Sequence, residues 1–183
     1  MASSSIEAVL LVDGYNVVGA WPELTQLRDQ VGLAPARNHL VEVLASYSAF
    51  KAFETQLVFD AYGQRQHHRQ ESVTDNLCVH YTRFGQTADS YIERACASFQ
   101  QNVRKFQTRL IVATSDRAQK DTVVGYGAEW MSAQQLASDV HVSLQRVKRR
   151  QKPAKQSKRR FLANSLNPEA QAKLTRFRHG IWD

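Results

Sequence analysis

LLVDGYNVVGAW, residues 10–21, decides how this chain is read. An apolar run stops on Asp13, and Gly14 and Asn16 follow at once. Asp, Gly and Asn all favour tight turns, so turn chemistry is one account of the stretch. The other is a strand covered on both faces that delivers a carboxylate to the carboxyl edge of a parallel sheet, where α/β folds bind their ligands.

Four further segments read as short strands: TQLVFD (55–60), LCVHYTR (77–83), RLIVATSD (109–116) and AEWM (128–131), with EAVLLVD (7–13) as the first. Helical patterns lie between them. PARNHLVEVLASYSAFKAF (35–53) carries Leu40, Val43, Leu44 and Tyr47 on one face, with Pro35 in the first turn. TADSYIERACASFQQNVRKF (87–106) carries Ile92, Ala95, Cys96, Phe99 and Val103, with Thr87 as N-cap. DRAQKDTVVGYG (116–127) and SAQQLASDVHVSLQRVKRR (132–150, capped by Ser132) complete the set. Strands alternating with helices specify an α/β fold with a mostly parallel sheet of five strands.

The 183 residues, 43% of them hydrophobic, suit one globular domain with an extension. No apolar run approaches the roughly 18 residues of a membrane-crossing helix. The opening MASSSIE lacks the basic and apolar blocks of a secretory signal, so a cytoplasmic location is expected. Cys78 and Cys96 have no metal-type spacing and read as buried free thiols of a reducing compartment. Charge is uneven. Residues 1–145 hold 12 basic and 15 acidic residues, net −3, whereas residues 146–183 hold 12 and 2, net +10. The boundary separates a domain, 1–145, from an extension, 146–183. In the extension RVKRRQKPAKQSKRR (146–160) reads as a helix end and linker, and a short helix is expected at 168–178. So basic a segment beside an acidic body points to a polyanionic partner: RNA, DNA or an anionic membrane surface.

Asp13, Asp60 and Asp116 each stand at or just past a strand end, and Asp89 opens a helix with Glu93 one turn later. Each has an ordinary role available: Asp89 complementing its helix dipole, Asp60 starting a turn, Asp116 beginning a helix beside a capping Ser115. Together at one sheet edge they read as a site. Clustered carboxylates resist ionising together, and a divalent cation relieves that repulsion. Mg²⁺ and Mn²⁺ prefer oxygen ligands and activate water against phosphoryl groups.

LLVDGYNVVGAWPEL, LVFDAYG, FGQTADSYIE, IVATSDRAQ and the closing FRHGIWD resemble, in that order, the YacP-like group of NYN-domain proteins within the PIN-like ribonuclease superfamily. The resemblance implies a three-layer α/β/α PIN-like domain with strand order 3-2-1-4-5. It implies a metal-dependent endoribonuclease in which Asp13, Asp89 and Asp116 are the catalytic, metal-holding acids. Asn16 and Ser115 match supporting polar positions, and Asp60 and Glu93 match further acidic ones, Asp60 as an added metal ligand. Members of the group are linked to cleavage of messenger RNA at ribosomes, which makes RNA and the ribosome the implied partners.

In the extension, Arg149, Arg150, Lys152, Lys155, Lys158, Arg159 and Arg160 are expected to contact phosphates, as are Arg65 and Arg69 of GQRQHHRQ (63–70). Residues 63–76 read as a mobile substrate flap. Tyr15 and Tyr62 are placed either to stack on unpaired bases or to be buried under neighbouring loops. The histidines at 39, 67, 68, 80, 141 and 179 show no zinc spacing, and no glycine-rich phosphate loop suggests an organic cofactor. A receiver-type signalling domain is disfavoured because Val12 and Gly14, not a second acid, flank Asp13. A non-catalytic RNA-binding or ribosome-associated module stays open, as does oligomeric state.

Overall fold

A computed structural model describes residues 6–61 and 69–151. The chain divides into Met1–Val147 and Lys148–Asp183, and the following concerns the first unit. Its elements run β1 (Ala8–Asp13), α1 (Gly14–Ala20), α2 (Pro22–Gln30), α3 (Leu33–Lys51), β2 (Phe53–Phe59), β3 (Arg69–Thr74), β4 (Leu77–Tyr81), α4 (Ala88–Gln100), a 3₁₀ turn (Val103–Phe106), β5 (Arg109–Ala113), α5 (Arg117–Gly125), β6 (Glu129–Met131) and α6 (Ala133–Gln151).

The sheet order is β3-β4-β2-β1-β5-β6. β4, β2, β1, β5 and β6 are parallel, so their carboxyl ends share one edge. In the expected five-strand numbering this is the order 3-2-1-4-5 with one strand added. The addition, β3, pairs antiparallel with β4 through a bulge between Ser72 and Thr74. RQESVT has no apolar alternation, because edge pairing alone holds it, and so carried no strand signal. It corrects the reading of 63–76 as a flap over residues 69–74; residues 62–68 lie outside those described.

β1 explains the layering. Ala8, Leu10 and Val12 join one core with Val17, Leu40, Leu44, Tyr47 and Leu136, from α1, α3 and α6. Val9 and Leu11 join the other with Ile92, Cys96 and Val123, from α4 and α5. A strand apolar at every position therefore needs helices on both faces. Cys96 is fully buried, but Cys78 is only partly so, on the polar outer part of the sheet; both are free thiols.

Two helices were not foreseen. α1 starts directly at Gly14, with Asp13 in extended conformation as its N-cap, so the turn-forming residues open a helix instead. α2 follows with Pro22 in its first turn, and the Trp21 indole between them donates to Ala133 O over 2.7 Å. The expected Thr87 cap forms, accepting from Ser90 N at 3.2 Å. Ser132 caps α6 reciprocally with Gln135, at 3.1 and 2.8 Å. α4 stops at Gln100, not 106, because Asn102 caps the separate 3₁₀ turn; Val103 is consequently 78% exposed rather than part of the apolar stripe. Among the described residues no helix is long and apolar enough to cross a membrane.

Candidate functional site

The parallel pairing brings the strand-end acids to one edge, and each is held by a donor. Asp13 closes β1 and accepts from Asn16 N at 3.1 Å. Asp60 follows β2 and accepts from Ala88 N, the first residue of α4. Asp89, the second residue of α4, accepts from Gln119 Nε2 at 2.6 Å. Asp116 caps α5, accepting from Ala118 N at 2.7 Å and Gln119 N at 3.1 Å. The cap of α5 is thus Asp116 itself and not Ser115.

A second set of bonds fixes the corners. Asn16 Oδ1 accepts from Ser115 N at 2.8 Å, joining the β1–α1 turn to the β5–α5 turn across 99 residues of sequence. Ser115 Oγ accepts from Ala133 N at 3.2 Å and donates to Gln134 Oε1 at 3.3 Å. Thr114 Oγ1 accepts from Asp116 N at 3.1 Å, and Thr82 Oγ1 from Ala61 N at 3.0 Å.

Burial pushes the Asp13 carboxyl up to about 6; the Asn16 N–H opposes this, and Asp89, Asp60 and Asp116 add to it. Asp89 is also raised, first by burial, then by Asp116, Asp60 and Glu93, with Gln119 opposing. Four carboxylates therefore lie in one another's field, and Glu93 acts at the margin, on Asp89. The donor set is all oxygen, which fits a hard cation such as Mg²⁺ or Mn²⁺. It is not a closed cage: among the described residues no three acidic, histidine or cysteine side chains converge on one point. Among the described residues Gln119 Oε1 is buried without a donor, an acceptor that a water of a hydrated cation would satisfy.

Tyr15 packs rather than projecting freely. Its ring lies 5.0 Å from Phe59, and its hydroxyl accepts from Arg37 Nη1 at 3.4 Å. Phe59 in turn stacks on Tyr81 at 5.8 Å, and the Arg37 guanidinium lies 6.0 and 5.9 Å from these two rings. Gly14 permits this arrangement, since a Cβ there would lie 2.3 Å from the Phe59 ring. Arg149 is exposed on α6. The backbones of Arg69 and Arg150 belong to β3 and α6, whereas Arg65, Tyr62, Lys152, Lys155, Lys158, Arg159 and Arg160 lie outside the described residues.

Gln119, Arg37, Thr82 and Thr114 escaped the sequence reading. Gln119 sits among the apolar positions of a short helix, and only its contact with Asp89, 30 residues away, gives it meaning.

The YacP-like NYN domain family model matches residues 10–179. YacP of Bacillus subtilis (strain 168), itself named as uncharacterized, is 32% identical over 142 residues, covering 78% of this chain and 80% of that protein. Two crystal structures of Rae1 (YacP) from Bacillus subtilis are similar, each with a TM-score of 0.64. One, of a mutant form, is 32% identical, covering 78% of this chain and 80% of that one. The other is 30% identical, covering 94% and 95%. NYN domains are generally nucleases, and nucleases of this kind generally use divalent metal ions. With its mostly parallel sheet, its strand-end acids and a match along nearly its whole length, the chain belongs to the YacP-like NYN domain family.

Proposed function

We propose that this protein is a divalent-metal-dependent endoribonuclease acting on single-stranded RNA, with ribosome-bound messenger RNA as a substrate. The observation that carries the reading is the mutual field of Asp13, Asp60, Asp89 and Asp116 at the carboxyl edge of the sheet. Capping and turn-holding account for Asp13, Asp60 and Asp116 one by one but do not require four carboxylates side by side, and their meeting is costly without a cation.

Asp13, Asp89 and Asp116 would hold a hydrated Mg²⁺ or Mn²⁺, partly through its waters, with Asp60 as a further oxygen ligand. When bound, such an ion polarises a phosphoryl oxygen and lowers the pKa of the attacking water. The chain's own residues arrange the rest. Asn16 fixes Asp13 through its N–H and anchors the Ser115 corner through its side chain. Gln119 holds Asp89, and the start of α5 holds Asp116. Asp60 also secures the first turn of α4, which sets where Asp89 stands. The expected partners are RNA and the ribosome, in the cytoplasm.

The test is incubation of the purified protein, and of Asp13→Asn, with single-stranded RNA and with RNA-loaded ribosomes in Mg²⁺, Mn²⁺ or EDTA. Mapped internal cuts that need both the metal and Asp13 support the reading. Binding without cuts under every condition would overturn it in favour of a non-catalytic RNA-binding module.

A further inference from the structure

Beside the acidic edge, the loop from β4 to α4 makes a feature that the cluster does not use. Gln86 N donates to Arg83 O at 2.9 Å, closing a turn over residues 83–86, and Gly85 at φ +80° gives that turn its left-handed third residue. The turn displays Phe84, which is 75% exposed. Next to it a pocket of about 440 Å³ is lined by Arg83, Gln86, Tyr91 and Arg94 together with two small residues of α4. Among the described residues neither guanidinium has an ion-pair or hydrogen-bonding partner. Tyr91 is committed to the sheet, its hydroxyl 3.2 Å from Gln56 Oε1 and 3.1 Å from His80 Nδ1, so the pocket wall is fixed.

We infer that Arg83, Arg94 and Phe84 form a nucleotide subsite, in which the two guanidiniums take phosphates of a single-stranded RNA and Phe84 stacks one of its bases. The inference rests on the nuclease reading for its choice of ligand and deepens it by giving the strand a path. Three arguments carry it. Residues 1–145 are net acidic, so an unpaired pair of arginines is a local exception that suits a polyanion. An exposed ring held on a closed turn presents a stacking face without the cost of ordering a loop on binding, and stacking accepts any base. The pocket also adjoins the N-terminus of α4, where Asp89 stands two residues after the Thr87 cap, so a strand lying in it continues onto the acidic edge.

The experiment uses the full chain and fluorescence anisotropy with a labelled oligouridylate of about ten nucleotides in EDTA, over a range of salt. A ribose-phosphate oligomer of the same length without bases is the second probe. Cleavage in Mn²⁺ is followed in parallel. Arg83→Gln with Arg94→Gln should lower the salt slope of log Kd by about 1.4, since each phosphate contact on a single strand contributes about 0.7. Phe84→Ala should weaken oligouridylate binding about tenfold and leave the baseless oligomer unchanged. These three side chains are exposed, so the melting temperatures should match the parent's. An unchanged slope and unchanged affinities in a parent that cleaves RNA would sink the subsite and leave the nuclease reading standing. The expected losses in a parent that binds but never cleaves support the subsite while the nuclease reading fails. A parent that binds neither probe overturns both.

Discussion

Gln119 Nε2 donates to Asp89 Oδ1 over 2.6 Å and so ties α5 to α4 across the acidic edge. The two residues supply one strong bond to a carboxylate whose pKa burial and three other acids raise. Gln119→Leu removes that donor without opening a cavity. Hydrogen bonds to charged groups are worth about 1.5–3 kcal/mol, so Mn²⁺ affinity should fall roughly tenfold or more. The melting temperature without metal should change little, because the buried and unpartnered Gln119 Oε1 disappears with the same substitution. Calorimetric Mn²⁺ titration beside thermal melting checks both halves.

Asp13→Asn should stabilise the metal-free protein near neutral pH. The raised folded pKa, about 6 against 3.8, means that folding favours the protonated acid. The stability from this group is complete below 3.8 and is lost as pH rises through about 6. At neutral pH the charge costs on the order of 3 kcal/mol, at about 1.4 kcal/mol per pKa unit. Asn caps helices about as well as Asp, so α1 keeps its start. Urea unfolding of both proteins should show a gain at neutral pH that vanishes in acid, while RNA cleavage is lost at every pH.

Metal binding should depend on pH through the same carboxyl. A cation needs Asp13 ionised, so Mn²⁺ affinity should be level above about pH 6 and fall up to tenfold per unit below it. An affinity that stays level down to the ordinary carboxylate range would contradict the placement of Asp13 in the ligand set.

Gly14→Ala and Gly19→Ala should differ in sign although both lie in α1. A Cβ on Gly14 meets the Phe59 ring at 2.3 Å, and that ring is confined by Tyr15 and Tyr81. Overpacking of this kind costs about 1–3 kcal/mol and would move the turn that carries Asp13. Gly19 has nothing within 4 Å of an added Cβ, so alanine there should gain about 0.4–1 kcal/mol. Melting temperatures separate the two, and cleavage should fall only for Gly14→Ala.

Replacing Lys152, Lys155, Lys158, Arg159 and Arg160 with glutamine in the full chain should flatten the salt slope of RNA binding by up to about 3.5, at about 0.7 per phosphate contact. The folded domain should melt as before. An unchanged slope would make the segment a solvated linker.

The doubly covered, mostly parallel sheet was legible because β1 and β5 are apolar at nearly every position, and only two covered faces ask for that, whereas the strand order was legible only through the family resemblance. Asp13, Asp60 and Asp116 were legible because each ends or follows a strand segment, and Asp89 because it opens a helix. β3 was not, since an edge strand paired on one side needs no apolar face. α1 was hidden because Asp, Gly and Asn signal turns whether or not a helix follows, and its seven residues are too few for a periodic pattern. Gln119 and Arg37 lie beyond reading from sequence alone, because what marks them is a neighbour brought by the crossovers and not a residue nearby in the chain.

The two ends of the sheet bear on how this protein meets its own kind. One end is β3, polar and bulged; the other is β6, three residues long, with Glu129 held by Arg109 at 2.6 Å. Short, kinked or charged edges give an incoming strand little to zip against. Sheet-to-sheet extension, a route to strand-swapped dimers and fibres, is therefore blunted on both sides. Among the described residues, then, neither end of the sheet invites a second copy to extend it.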